Sequence, residues 1–105
     1  MLGRVMITLE DIKHKLPPLC EVYGIAYVDA FGSMARRDQS DDSDIDLIIE
    51  FAEPRREQIS LRFFGFLHAI EEAFDKNVDL LTERSIVNPY LKERINQERV
   101  RLYGS

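Results

Sequence analysis

In the run Asp44-Ile45-Asp46-Leu47-Ile48-Ile49-Glu50-Phe51, two aspartates alternate with aliphatic residues, and the alternation points to a strand. Residues i and i+2 of a strand face the same side, so the carboxylates of Asp44 and Asp46 stand together while Ile45 and Leu47 face the other way. One face of this strand is therefore apolar, and the other holds two neighbouring negative charges.

The flanking sequence supplies further elements. Thr8 with Asp11 three positions on resembles a helix N-cap, and Ile12, Leu16, Leu19 and Tyr23 recur at helical spacing. Pro17-Pro18 removes intrahelical donors, so a kink or two short helices are expected, the second ending at Gly24. Ile25 to Phe31 is rich in β-formers and predicts a buried strand. Gly32-Ser33 turns the chain into a short helical stretch, Met34 to Arg37, followed by the turn-forming loop Ser40-Asp41-Asp42-Ser43.

Pro54 breaks the Asp44–Phe51 strand, Arg55-Arg56 marks a solvated helix start, and residues 56–75 form the longest helix. Ile59, Phe63, Leu67, Ile70 and Phe74 make its apolar stripe. Phe64, with Leu61 and His68, lies about 100° or more from that stripe, where it either docks a partner or widens the buried face. Asn77 to Leu81 is a third strand, and Asn88-Pro89 opens a terminal helix carrying Leu91 and Ile95, before a tail with Val100, Leu102 and Tyr103. This order predicts one α/β (α+β) domain over residues 1–105, a small mixed sheet flanked by helices.

A chain of 105 residues has room for one modest core and none for a separate substrate-binding domain. The net charge is −5, and residues 38–53 hold seven acidic side chains with no Lys or Arg. Such a surface repels polyanions, so general nucleic-acid binding is not expected, whereas a cluster that recruits divalent cations is. Apolar stretches are only a few residues long and the N-terminus lacks the apolar core of a secretory signal, so neither a membrane span nor export is expected and the cytoplasm is the default address. Cys20 has no second cysteine to pair with and fits an apolar filler better than a nucleophile. His14 and His68 are far apart on predicted helices and are expected as surface or boundary residues.

Two carboxylates held as close as those of Asp44 and Asp46 repel unless a cation lies between them. Magnesium suits them, because it prefers hard oxygen ligands and is usually shared between one or two carboxylates and substrate phosphates. Asp79, in Val78-Asp79-Leu80-Leu81, is the best third ligand, since a lone acid inside an apolar strand is costly unless something compensates for it. If its strand pairs beside Asp44–Phe51, three carboxylates converge around two metal ions. Gly32 permits a tight strand-to-helix turn and Ser33 adds a hydroxyl beside free amides, an arrangement suited to phosphate. Asp41 and Asp42 read as turn residues. No Walker A lysine motif, zinc spacing or Rossmann glycine fingerprint is present.

Taken together, Gly32-Ser33-Met34-Ala35-Arg36 and, six residues later, Ser43-Asp44-Ile45-Asp46-Leu47 resemble the signature of the DNA polymerase β-like nucleotidyltransferases, and the short chain is similar to their minimal, antitoxin-like branch. The resemblance implies a polymerase β palm-like core in which Asp44 and Asp46 bind two magnesium ions. It further implies that Asp79 binds the ion that activates the acceptor, that Gly32 and Ser33 hold the β and γ phosphates of ATP, and that Arg36 neutralises phosphate charge. It implies in-line attack of an acceptor hydroxyl on the α-phosphorus. The implied partner is a HEPN ribonuclease toxin, with AMP transferred to its tyrosine hydroxyl. A binding antitoxin without catalysis, and transfer to RNA or a small hydroxylated molecule, are the alternatives. Many relatives carry glycine where this chain has Arg37, a departure that bears on the turn leaving the short helix.

Overall fold

Thr8 starts the first helix through a reciprocal capping box. Its hydroxyl accepts from the Asp11 N–H at 3.1 Å, and the Asp11 carboxylate accepts from the Thr8 N–H at 2.9 Å. Helix α1 then runs over Leu9–Tyr23 and ends where Gly24 takes φ 68°. A single helix crosses both prolines, not two short ones. Pro17 and Pro18 are exposed, so the carbonyls they leave without amide donors lie where water can serve them, while Ile12, Leu16 and Cys20 keep one buried stripe across the break. Burial pushes the Cys20 thiol up to about 12, in keeping with an apolar filler.

The computed structural model describes residues 7–38, 44–52 and 56–104. The loop expected at Ser40-Asp41-Asp42-Ser43, the break at Pro54 and the side chains of Arg55 and Arg56 lie outside what is described. The remaining elements are β1 (Ile25–Phe31), α2 (Gly32–Arg36), β2 (Ile45–Phe51), α3 (Arg56–Phe74), β3 (Val78–Thr82), a 3₁₀ turn (Glu83–Ser85), α4 (Pro89–Glu98) and β4 (Val100–Tyr103). The apolar tail thus forms a fourth strand, and the short helix begins two residues earlier than its sequence suggests.

The sheet order is β3-β2-β1-β4. β1 pairs antiparallel with β2 and β4, whereas β2 and β3 run parallel, a pairing made possible by the long crossover through α3. Alternation then divides the side chains between two faces. Ile45, Leu47, Ile49 and Phe51 of β2 join Val28 and Ala30 of β1 and Val78 and Leu80 of β3 beneath the buried stripes of α1 and α3, where Phe66, Ile70 and Phe74 enter the core. Gly65 lets α1 approach α3, because a Cβ there would lie 2.6 Å from Cε1 of Tyr23.

On the opposite face a smaller cluster forms from Ile48, Ile86 and Ile95, with Phe31 and Leu81 packed against it. This cluster seats α4 on the middle of the sheet. At one end of the same face stand Asp44, Asp46 and Asp79. At the other end stand Tyr27, Asp29, Glu50 and Glu83.

Candidate active site at the β2–β3 edge

The parallel register of β2 and β3 sets Asp46 opposite Asp79, and the antiparallel register of β1 and β2 sets Asp46 opposite Phe31, the residue before the Gly32 turn. Two segments distant in sequence therefore deliver an acid pair and a glycine turn to one point. Asp44 lies just ahead of β2, two residues before Asp46. Asp46 is half-buried, while Asp44 and Asp79 are exposed. The burial expected of Asp79 is not found: β3 is an edge strand, and the sheet face beneath Asp79 is left open to solvent at this end.

Gly32 is required here twice over. Its φ of 70° lies in the left-handed region, and a Cβ at that position would fall 2.4 Å from Oδ2 of Asp46. The Asp46 carboxylate thus rests against the glycine. Burial, followed by the negative charges of Asp79 and Asp44, pushes the Asp46 carboxyl up to about 6, with the positive charge of Arg36 acting in the opposite sense. An acid so placed gains from a cation. The donor set is all hard oxygen, which fits magnesium. Among the described residues no three acidic, imidazole or thiol groups gather tightly enough to enclose one ion, so Asp44, Asp46 and Asp79 share a face and an electrostatic field rather than a closed shell.

Ser33 is half-buried beside Gly32. Arg36 ends α2 with its guanidinium already engaged: Nη1 donates to Oε2 of Glu98 at 2.7 Å and Nε donates to Oδ2 of Asp38 at 3.1 Å. Arg37 follows at φ 59°, so an arginine occupies the left-handed cap position that favours glycine. Its Nη2 reaches Oε2 of Glu10 at 3.1 Å.

A second charged group, which the sequence reading overlooked, lies at the far end of the same face. Asp29, only 3% exposed, accepts from Nε of Arg99 at 2.7 Å and from Arg101. Arg99 also donates to Glu83 at 2.6 Å and to Asn96 at 2.8 Å, and the Tyr27 hydroxyl donates to Glu83 at 2.8 Å. The bond from Arg99 lowers the Glu83 carboxyl, and burial with Glu83 nearby pushes the Tyr27 phenol up to about 12.

Residues 8–102 match the family model of the nucleotidyltransferase domain. The chain belongs to that family. Among curated relatives of this nucleotidyltransferase, a Methanocaldococcus jannaschii protein whose name proposes protein adenylyltransferase activity is 37% identical over 94 residues, covering 90% of this chain and 97% of its own length. The protein adenylyltransferase MntA of Thermococcus cleftensis is 31% identical over 85 residues, covering 77% of this chain and 83% of its own. A solved structure described as a proposed minimal nucleotidyltransferase superposes with a TM-score of 0.73 at 30% identity, over 92% of this chain and 98% of that one. The fold also matches, at a TM-score of 0.65 and 19% identity over 93% of this chain and 74% of that one, a chain from the complex of a tri-AMPylated Shewanella oneidensis HEPN toxin with its MNT antitoxin.

Proposed function

We propose that this nucleotidyltransferase moves AMP from magnesium-bound ATP to a tyrosine hydroxyl of a HEPN ribonuclease toxin, acting as the antitoxin of that pair. The observation that carries the reading is the register placing Asp46 opposite Asp79 and against Gly32. Relatives named as protein adenylyltransferases support protein as the acceptor class. The AMPylated HEPN toxin seen with its MNT antitoxin supports the partner.

Asp44, Asp46 and Asp79 would hold two magnesium ions, whose charge offsets that of the triphosphate and favours loss of pyrophosphate. Gly32 lets the turn close against the Asp46 carboxylate where a Cβ would collide, and Gly32 and Ser33 would hold the β and γ phosphates, Ser33 with its hydroxyl. Arg36 adds positive charge beside them. The acceptor oxygen forms a new bond to the α-phosphorus as the bond to pyrophosphate breaks, and the hydroxyl proton leaves to solvent. Positioning and charge compensation supply the catalysis, without a covalent enzyme intermediate.

On the opposite side of the molecule Leu61 and Phe64 are 78% and 56% exposed, so of the two readings of this face they do not widen the buried stripe, which suits a protein partner. No helix among the described residues is long and apolar enough to cross a membrane. The test is incubation with labelled ATP, magnesium and a HEPN ribonuclease from the same genome, repeated with Asp44→Ala/Asp46→Ala. Label on a partner tyrosine that disappears in the double variant supports the proposal. Inhibition of the partner that survives in the double variant without label supports binding alone, and label on RNA or a small molecule moves the acceptor elsewhere.

A further inference from the structure

Arg36 is held at two of its three guanidinium nitrogens. Glu98 accepts from Nη1 at 2.7 Å and 3.3 Å, Asp38 accepts from Nε, and among the described residues no hydrogen bond engages Nη2. The Arg36 side chain is 46% exposed, whereas the Glu98 side chain is 23% exposed. Arg36 closes the one-turn helix that Gly32 opens, and Gly32 lies against the Asp46 carboxylate, so the guanidinium stands one turn from that acid. Two acids thus hold Arg36 through Nε and Nη1, leaving Nη2 between them to donate to an anion.

Glu98 in turn occupies a fixed position. It is the last residue of α4, and Ile95 one turn earlier is buried against Ile48 and Ile86. The next residue, Arg99, points the other way, into the sheet, where all three guanidinium nitrogens donate to Asp29, Glu83 and Asn96. Charges with so little exposure cost desolvation that their attraction does not reliably recover, so net stability is a poor reason for them. Their effect is geometric, because they fasten the end of α4 to β1 and to the turn after β3.

We propose that Glu98 is a positioning residue for nucleotide binding: it holds the Arg36 guanidinium at the end of the helix that Gly32 opens, with Nη2 left free for triphosphate, and the Asp29–Arg99–Glu83 clamp keeps Glu98 in place. The inference rests on the nucleotidyltransfer reading and extends the site from β2, β3 and α2 to the C-terminal end of α4.

Calorimetric titration with magnesium and a non-hydrolysable ATP analogue tests it on wild type, Glu98→Gln, Glu98→Asp, Arg36→Gln and the Arg36→Gln/Glu98→Gln double variant. The expected result is a loss of about fivefold in affinity for Glu98→Gln. Glu98→Asp, which keeps the charge, recovers part of that loss. In the Arg36→Gln background Glu98→Gln changes nothing further, because its effect passes through that arginine. Unchanged or tighter binding by Glu98→Gln overturns the inference, as do losses that multiply in the double variant. Absence of binding by the wild-type chain overturns the nucleotidyltransfer reading itself, and the inference with it.

Discussion

Replacing Asp46 with asparagine should strengthen the fold while removing its function. The Asp46 carboxyl is raised from the ordinary 3.8 to about 6, first by burial and then by Asp79 and Asp44. Because the folded chain holds this proton more tightly than the unfolded chain, raising the pH through the window from about 4 to about 6 costs stability, and the full penalty persists above it. At about 1.36 kcal/mol per pH unit the gap corresponds to about 3 kcal/mol, and solvent access to this half-buried group reduces that to about 1–2 kcal/mol. Asp46→Asn carries no such charge. Urea denaturation in the presence of a chelator should therefore find the variant about 1–2 kcal/mol more stable than wild type at pH 7.5, with the advantage gone near pH 3.5 where both side chains are neutral. Nucleotidyl transfer by the variant should fall to background. A variant no more stable than wild type at pH 7.5, or an advantage that does not shrink on acidification, refutes the electrostatic account.

Gly32→Ala would force a Cβ to within 2.4 Å of the Asp46 carboxylate at a φ of 70°, so transfer should drop about tenfold or more while the helical circular dichroism is retained; near-normal transfer would mean the turn relaxes freely. Asp29→Ala removes the buried acid that Arg99 and Arg101 share and should cost about 3 kcal/mol by urea denaturation, with a loss under about 1 kcal/mol counting against the clamp. Arg37→Gly removes a left-handed arginine and should raise stability by about 1 kcal/mol through the backbone. The exposed pair with Glu10 subtracts little from that gain, and a lower unfolding midpoint would contradict the prediction.

Local rules made the first half of the chain legible. Thr8 and Asp11 cap α1, Gly24 ends it, and Ile25–Phe31 is the strand its composition implies. The pairing of Asp46 with Asp79 followed from alternation plus the assumption that their strands are neighbours, which the parallel register satisfies. What alternation does not encode is a strand's place in the sheet. Asp29 and Asp79 carry the same signal, a lone acid among apolar residues, yet Asp29 sits on an interior strand and is buried with two arginines, whereas Asp79 sits on an edge strand and is exposed. The compensation argued for Asp79 belongs to Asp29. Its partners Arg99 and Arg101 lie 70 and 72 residues away in an apparent tail, and only the pairing of β4 with β1 brings them in. Glu98 was overlooked for the same reason, since its contact with Arg36 spans 62 residues.

Counting bound divalent ions tests the central assignment most directly. Titration with Mn²⁺, followed by the loss of its free electron paramagnetic resonance signal in the presence of a non-hydrolysable ATP analogue, should find two ions on the wild-type chain. It should find one fewer on Asp79→Asn, and no ion held by protein in Asp44→Asn/Asp46→Asn/Asp79→Asn. The same ion count and affinity in wild type and the triple variant would contradict a metal centre on these three aspartates.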